Sequence, residues 1–210
     1  SESPIHVRLN TEVPASRGLG SSATLSVGGV LAANALNGNL LKPDECLALA
    51  VELEGHPDNA APAMLGGMRA SFMEDGKPVT AEVPIGENIG FIAMIPNFET
   101  KTSDMRRALP ECVPMGDAIF NLSRVAVLIR AMETGDLNLI AHAMTDRLHQ
   151  PYREKLIDDC DRARRAAMES GAAAFCISGS GSTCLAVADG ENAETIAEGI
   201  RKKLADSPYG

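Results

Sequence analysis

Gly18 and Gly20 flank a leucine and are followed at once by Ser21, Ser22 and Ala23, just where an apolar helical pattern begins. Glycines at such a corner let the backbone take turns closed to other residues and approach a ligand closely. The first amide N–H groups of a helix have no internal partner, and the helix dipole is positive there. Serines in the first turn add hydroxyls that can face a metal ion carried by a phosphate. The chemistry on offer is anion binding, with phosphate the natural occupant. The competing reading is a tight turn with a serine N-cap. The lysine-bearing loop of the P-loop NTPases is absent, which excludes that class.

A second concentration of polar groups is GHPDNAAP, which reads as a loop holding His56, Asp58 and Asn59. Short loops of this kind hold ligands on rigid scaffolds. Alternatively, Asp58 caps its own backbone and Asn59 accepts an unusual dihedral. The run SGSGS (178–182) is either a second anion loop or, preferred here, a close-packed turn that buttresses a site. His142 and His149 have no ligand-spaced partners and read as structural, and the scattered methionines read as core filler.

The elements that must position these residues follow from periodicity. Alternation over residues 5–13 predicts a strand, with Ile5, Val7 and Leu9 on one face. Residues 22–36 predict a buried helix stopped by Asn37-Gly38. Pro43 with Asp44 and Glu45 opens a helix that runs to about Glu54. Strands are expected at 66–73 and 79–84 around EDGKP, and at 89–96. Helices are expected at about 103–108, 117–133, 136–147 and 153–169, the last capped by Gly171. Residues 174–178 and 183–187 form a hairpin-like pair, and an amphipathic helix spans 191–205. Strands and helices do not alternate regularly, which favours α+β over a doubly wound sheet. A composition shift near 85–90 divides the chain into 1–86 and 87–210.

Bulk properties narrow the function classes. The chain has 210 residues, enough to bury a core without staples. A net charge of −9 with few aromatics argues against nucleic acid as a partner. No apolar run approaches the roughly 20 residues a membrane span needs. The start, SESPIHVRLN, lacks the basic and apolar regions of a signal peptide. Five cysteines without CxxC spacing read as reduced thiols of a cytoplasmic protein.

VPASRGLGSSAT resembles the phosphate-binding motif P-x-x-x-G-L-G-S-S-A of the GHMP kinases. ELEGHPDNAAPAMLGG (52–67), IPNFETKTSDMRRALP (95–110), FNLSRVAVLI (120–129), HQPYREKLI (149–157) and FCISGSGSTCLAV (175–187) are similar to the homoserine kinases within that superfamily. The resemblance runs over nearly the whole chain in the right order. It implies a GHMP two-domain fold: a partial ribosomal-protein-S5-like N-terminal domain that binds ATP, at 1–86, and a ferredoxin-like C-terminal domain at 87–210. It also implies transfer of the γ-phosphoryl group of ATP to the side-chain hydroxyl of L-homoserine. The cofactors would be ATP and Mg2+, and the substrate a small molecule.

Carried over by residue, the resemblance makes Pro14, Arg17, Gly18, Leu19, Gly20, Ser21, Ser22 and Ala23 the ATP-binding stretch, with Ser22 touching magnesium. A second hard ligand is wanted at the end of the second helix. Glu54 is preferred and Glu52 is the alternative; two residues apart on a helix, they point about 200° from each other. His56, Asp58 and Asn59 would contact homoserine, with Asp58 or Asn59 orienting the attacking hydroxyl. Arginine matches a carboxylate with a planar pair of donors. Arg106 and Arg153 therefore become the candidates for the substrate's α-carboxylate, with Arg106 favoured over Arg107. Asp58, Asn59 and Arg106 form the catalytic set.

Departures from the family pattern accompany the match. The family carries a further N-terminal segment and a further C-terminal strand, and Ser182 stands where proline is usual. These departures imply a partial kinase with exposed sheet edges that would permit a homodimer. The alternatives are another small-molecule kinase of the superfamily or an inactive fragment.

Overall fold

The structure, a computed structural model, describes residues 5–209. Helix α1 (Ser21–Leu36) begins after Gly20, which sits in the left-handed region at φ 72°, and ends at Asn37. Helix α2 (Pro43–Glu54) carries proline at its start and Asp44 and Glu45 in its first turn. The Glu45 side chain accepts the Lys42 N–H, satisfying one of the donors a helix start leaves open. Helix α3 (Pro57–Leu65) follows directly. Val27 and Val30 of α1, Cys46, Leu47, Ala50 and Val51 of α2, and Ala60 and Ala61 of α3 form one buried cluster. Two contiguous pairs on α2, one turn apart, make the stripe that faces its neighbours. The alanines of α3 let the three helices close together.

Strands β1 (Met68–Glu74) and β2 (Lys77–Val83) pair as an antiparallel hairpin. Asp75 and Gly76 at its tip both have positive φ, at 47° and 75°, the geometry an Asp-Gly pair adopts in a two-residue hairpin turn. Strand β3 (Ile89–Met94) leads into helices α4 (Thr102–Arg107), α5 (Met115–Thr134), α6 (Leu137–Ala143), the short α7 (Gln150–Arg153) and α8 (Cys160–Glu169). Strands β4 (Ala174–Ile177) and β5 (Cys184–Asp189) then join β3 in an antiparallel sheet of order β3-β5-β4, and α9 (Ala193–Lys203) closes the chain.

Period-two alternation gives this sheet two buried faces. Cys184, Ala186 and Ala188 of β5, with Ile92 and Met94 of β3, pack against α8 and α9. Val187 and Ala174 point the other way, onto Ala131, Met132 and Ile140 of α5 and α6. Leu204, fully buried in the larger cluster, contributes roughly 1.5–3 kcal/mol by leaving water. Among the described residues no helix is long and apolar enough to cross a membrane.

The architecture is α+β, as read from the sequence, with three local corrections. Residues 5–13 form no strand: Ile5, Val7 and Leu9 are 73%, 76% and 68% exposed. Alternation defines a face, but a strand also needs a neighbour to pair with, and none of the described strands lies beside it. GHPDNAAP is largely helix rather than loop, because Pro57 suits a first helical position and Asp58 suits the first turn. The helix expected over 153–169 is broken into α7, a single 3-10 turn (Glu154–Leu156) and α8. The break falls where Ile157 turns inward and Asp159 takes a positive φ of 57°.

Candidate active site

The corner before α1 is tied to the turn between β4 and β5. The Ser178 hydroxyl donates to the Gly18 carbonyl at 2.8 Å, and the Thr183 N–H donates to the Arg17 carbonyl at 3.1 Å. A methyl group on Gly18 would lie 2.4 Å from the Ser178 oxygen and 2.6 Å from the Gly181 oxygen. Only glycine lets the two loops meet so closely, and its φ of 75° adds a second reason. The Arg17 Nε donates to the Pro96 carbonyl at 3.1 Å, fixing the corner to the segment after β3.

The first α1 amide that finds an acceptor within the helix is Thr24, on the Gly20 carbonyl. The amides of Ser21, Ser22 and Ala23 precede it, and Gly20 has no side chain to cap them. They stand at the wall of a cavity of about 580 Å³, within the range of small-molecule sites.

Of the residues singled out in the sequence, Arg17, Gly18, Gly20, Ser21, Ser22, Ala23, Glu54, His56, Asp58, Asn59, Arg106 and Arg153 all line this cavity. Pro14 and Leu19 do not; they bracket the corner from outside the lining. Glu54, the last residue of α2, accepts from the Ser22 hydroxyl at 2.9 Å and from the Ser26 hydroxyl at 2.5 Å. Glu52 is exposed and does not line the cavity. Beside the open amides, the Ser22 hydroxyl and Glu54 carboxylate are hard oxygen donors of the kind that could hold a magnesium ion. No group of three His, Cys, Asp or Glu among the described residues makes a self-sufficient metal cage.

His56 is the N-cap of α3, and Asp58 and Asn59 occupy its first turn. His56 Nδ1 lies against Asp58 Oδ1. A methyl group on Gly20 would meet Asn59 Oδ1 at 3.3 Å, so the small corner residue also admits the α3 carboxamide. Arg106 comes from α4, while Arg107 points outward to pair with Asp104. Arg153 donates from Nη1 to the Gly179 carbonyl at 3.1 Å and from Nε to the Met105 carbonyl at 3.4 Å. Burial, followed by the nearby Arg106 guanidinium, pushes the Arg153 pKa below the ordinary arginine value. Two cations in one cleft, one of them partly desolvated, favour an anionic guest.

The cavity also takes in Ser16, Thr100, Thr102, His149, Ile177, Gly179, Ser180 and Gly181. His149, read from the sequence as structural, is therefore at the site. The 178–182 turn both buttresses Gly18 and faces the cavity. The repeated glycines were a usable signal for that turn. Nothing local marked the two threonines.

The sequence matches the family models described as GHMP kinases N terminal domain, over residues 1–67, and GHMP kinases C terminal, over residues 128–206. Homoserine kinase of Thermosynechococcus vestitus is 44% identical over 203 residues, covering 96% of this chain and 67% of that protein. Homoserine kinase of Caldicellulosiruptor bescii is 39% identical over 201 residues, covering 96% of this chain and 65% of that protein. The crystal structure of homoserine kinase from Cytophaga hutchinsonii superposes with a TM-score of 0.86 at 31% identity, over 93% of this chain and 64% of that one. L. major mevalonate kinase, at 18% identity and a TM-score of 0.69, shares the fold. The chain thus spans about two thirds of the length of these homoserine kinases.

Proposed function

The chain belongs to the GHMP kinase family, and on that premise we propose that it is the part of a homoserine kinase that carries most of the active site. The reaction is transfer of the γ-phosphoryl group of ATP to the side-chain hydroxyl of L-homoserine, giving O-phospho-L-homoserine for threonine synthesis. One observation carries the reading: a single cleft joins the uncapped amide mouth of α1 to the Arg106–Arg153 pair. The first suits a polyphosphate and the second a carboxylate. A mevalonate-type alcohol also has a carboxylate, but the relatives that match over almost the whole chain at about 40% identity are homoserine kinases. We take 1–86 and 87–210 as the two domains, with the separate β1-β2 and β3-β5-β4 sheets in support.

Phosphoryl transfer asks a protein for alignment and charge neutralisation more than for covalent chemistry. The amides of Ser21, Ser22 and Ala23 hold phosphate oxygens with no reorganisation, and the α1 dipole favours their charge. Ser22 and Glu54 would hold a magnesium ion, which when bound neutralises charge on the transferred group. Arg106 and Arg153 fix the amino acid by its α-carboxylate, leaving its hydroxyl toward α3. Asp58 or Asn59, in the first turn of α3, orients that hydroxyl. A loose transition state needs little proton removal at the start, so orientation is the main demand on them.

The test is an assay of the intact protein with ATP, magnesium and, in turn, homoserine, mevalonate and galactose. The expected result is phosphorylation of homoserine with a strong preference over the other two. Equal turnover of mevalonate, or ATP hydrolysis without transfer, would overturn the reading.

A further inference from the structure

We infer that His149, with Asp146 behind it, is a positioning residue that holds the Arg153 guanidinium at the carboxylate-binding end of the cleft. The inference rests on the homoserine kinase reading above and adds a residue pair to it.

The segment between α6 and α7 is pegged by side chains from both sides. Asn121 of α5 donates from Nδ2 to Asp146 Oδ1 at 2.6 Å and accepts the Arg147 N–H on its own Oδ1 at 3.0 Å. Asp146 Oδ2 accepts the N–H groups of His149 and Gln150, each at 2.7 Å. The buried Gln150 in turn accepts the Ile177 N–H at 2.9 Å, at the end of β4 where the chain enters the 178–182 turn. The Asp146 side chain is only 9% exposed, so the three bonds to its carboxylate are largely shielded from competing water. Burial pushes its carboxyl up, but the His149 and Gln150 N–H groups and the Asn121 amide outweigh that and hold it below the usual carboxylate value.

The His149 ring stands between this carboxylate and Arg153. Its Nε2 lies 3.8 Å from Asp146 Oδ1, and its Nδ1 lies 3.4 Å from Arg153 Nη1. One tautomer serves both neighbours. With the proton on Nε2, the N–H faces Asp146 and the Nδ1 lone pair accepts from Arg153. Arg153 then has its Nε on the Met105 carbonyl and its Nη1 shared between the Gly179 carbonyl and the ring. Among the described residues Nη2 has no hydrogen-bond acceptor, so it remains for a substrate carboxylate.

Protonating the ring would replace the acceptor with a donor facing a cation, and Arg106 adds to the repulsion around Arg153. The groups acting on His149 are Asp146 and Glu154, which favour protonation, and Arg153, which opposes it. Burial is the largest influence and also opposes protonation, so the histidine pKa lies below its ordinary value. The ring is therefore neutral at physiological pH, and Arg153 is held. Acidification through the lowered pKa releases it.

The experiment measures KM for homoserine and for ATP, with kcat, across a pH series in the intact protein and in His149→Phe and His149→Asn, with a melting curve for each. In the unsubstituted protein, KM for homoserine should rise several-fold between about pH 7.5 and about pH 5.5 while KM for ATP stays flat. His149→Phe should raise KM for homoserine roughly tenfold at neutral pH with kcat changed by no more than about threefold, the loss of one hydrogen bond to a charged group. His149→Asn, which keeps an acceptor that does not titrate, should stay within about threefold of the unsubstituted KM and lose the acid rise. A folded His149→Phe with unchanged KM for homoserine would overturn the inference and leave the homoserine kinase reading standing. If His149→Phe does not fold, an acid rise that persists in His149→Asn overturns it instead. Failure of the unsubstituted protein to phosphorylate homoserine would overturn the underlying reading and this inference with it.

Discussion

At one end of the cleft the chain offers main-chain amides and a glycine with no room for a methyl group; at the other it offers two guanidinium groups at the ends of long side chains. The amide end is held through main-chain carbonyls: the Gly18 carbonyl accepts the Ser178 hydroxyl, 160 residues away in sequence, and the Arg17 carbonyl accepts the Thr183 N–H. The arginine end is held by a series of side-chain bonds running from Asn121 through Asp146, His149 and Gln150 to Ile177. The difference matters for how each end can fail. A main-chain site has no side chain to trim, so substitution acts by displacing the loop. A side-chain site loses one contact at a time, and its failures are graded and fall on one substrate.

Gly18→Ala should have the largest effect. Its methyl group meets two carbonyl oxygens under 3 Å away, neither of which is the end of a flexible side chain. The left-handed backbone adds about 1–2 kcal/mol of its own. Steady-state kinetics should show a fall in kcat/KM of about a thousandfold, on the scale of losing oriented donors at a reacting group. A near-normal rate would mean that the corner does not need its contact with the 178–182 turn.

Arg153→Ala and Arg106→Ala come next. Each should raise KM for homoserine by roughly 30- to 100-fold, as expected for losing a charge-assisted hydrogen bond, with ATP binding little changed. Equal losses for both substrates would erase the division between the two ends.

Glu54→Gln should weaken magnesium activation by about tenfold, read from the metal dependence of the rate. Glu52→Gln should change it by less than about twofold, since an exposed side chain away from the site has little to lose. The reverse order would exchange the roles of the two glutamates.

The same contrast explains what could be read from the sequence. The amide end was legible because its requirements are local: two glycines, two serines and a helix start, all contiguous. The arginine end was legible only in its two arginines, through the resemblance. His149 has no partner at metal-ligand spacing, and by that criterion it reads as structural. Yet Asp146 stands three residues before it and Arg153 four after it, separations that bring side chains together wherever the chain coils. Asn121 gave no signal, because its partner is 25 residues away and only the packing of α5 against α6 brings them together. The strand expected at 5–13 failed for a related reason, since pairing is not written into one strand's alternation. The loop expected at GHPDNAAP is a helix start instead, because Pro57 and Asp58 are residues that a first helical turn prefers.

The proposed function stands on binding of nucleotide phosphates by the open amides of α1. The direct measurement is an amide NMR titration of the intact protein with magnesium and a non-hydrolysable ATP analogue. Saturable shifts should be largest at Gly20, Ser21, Ser22 and Ala23. Saturable binding that leaves those four amides unmoved, with the shifts elsewhere, would contradict it.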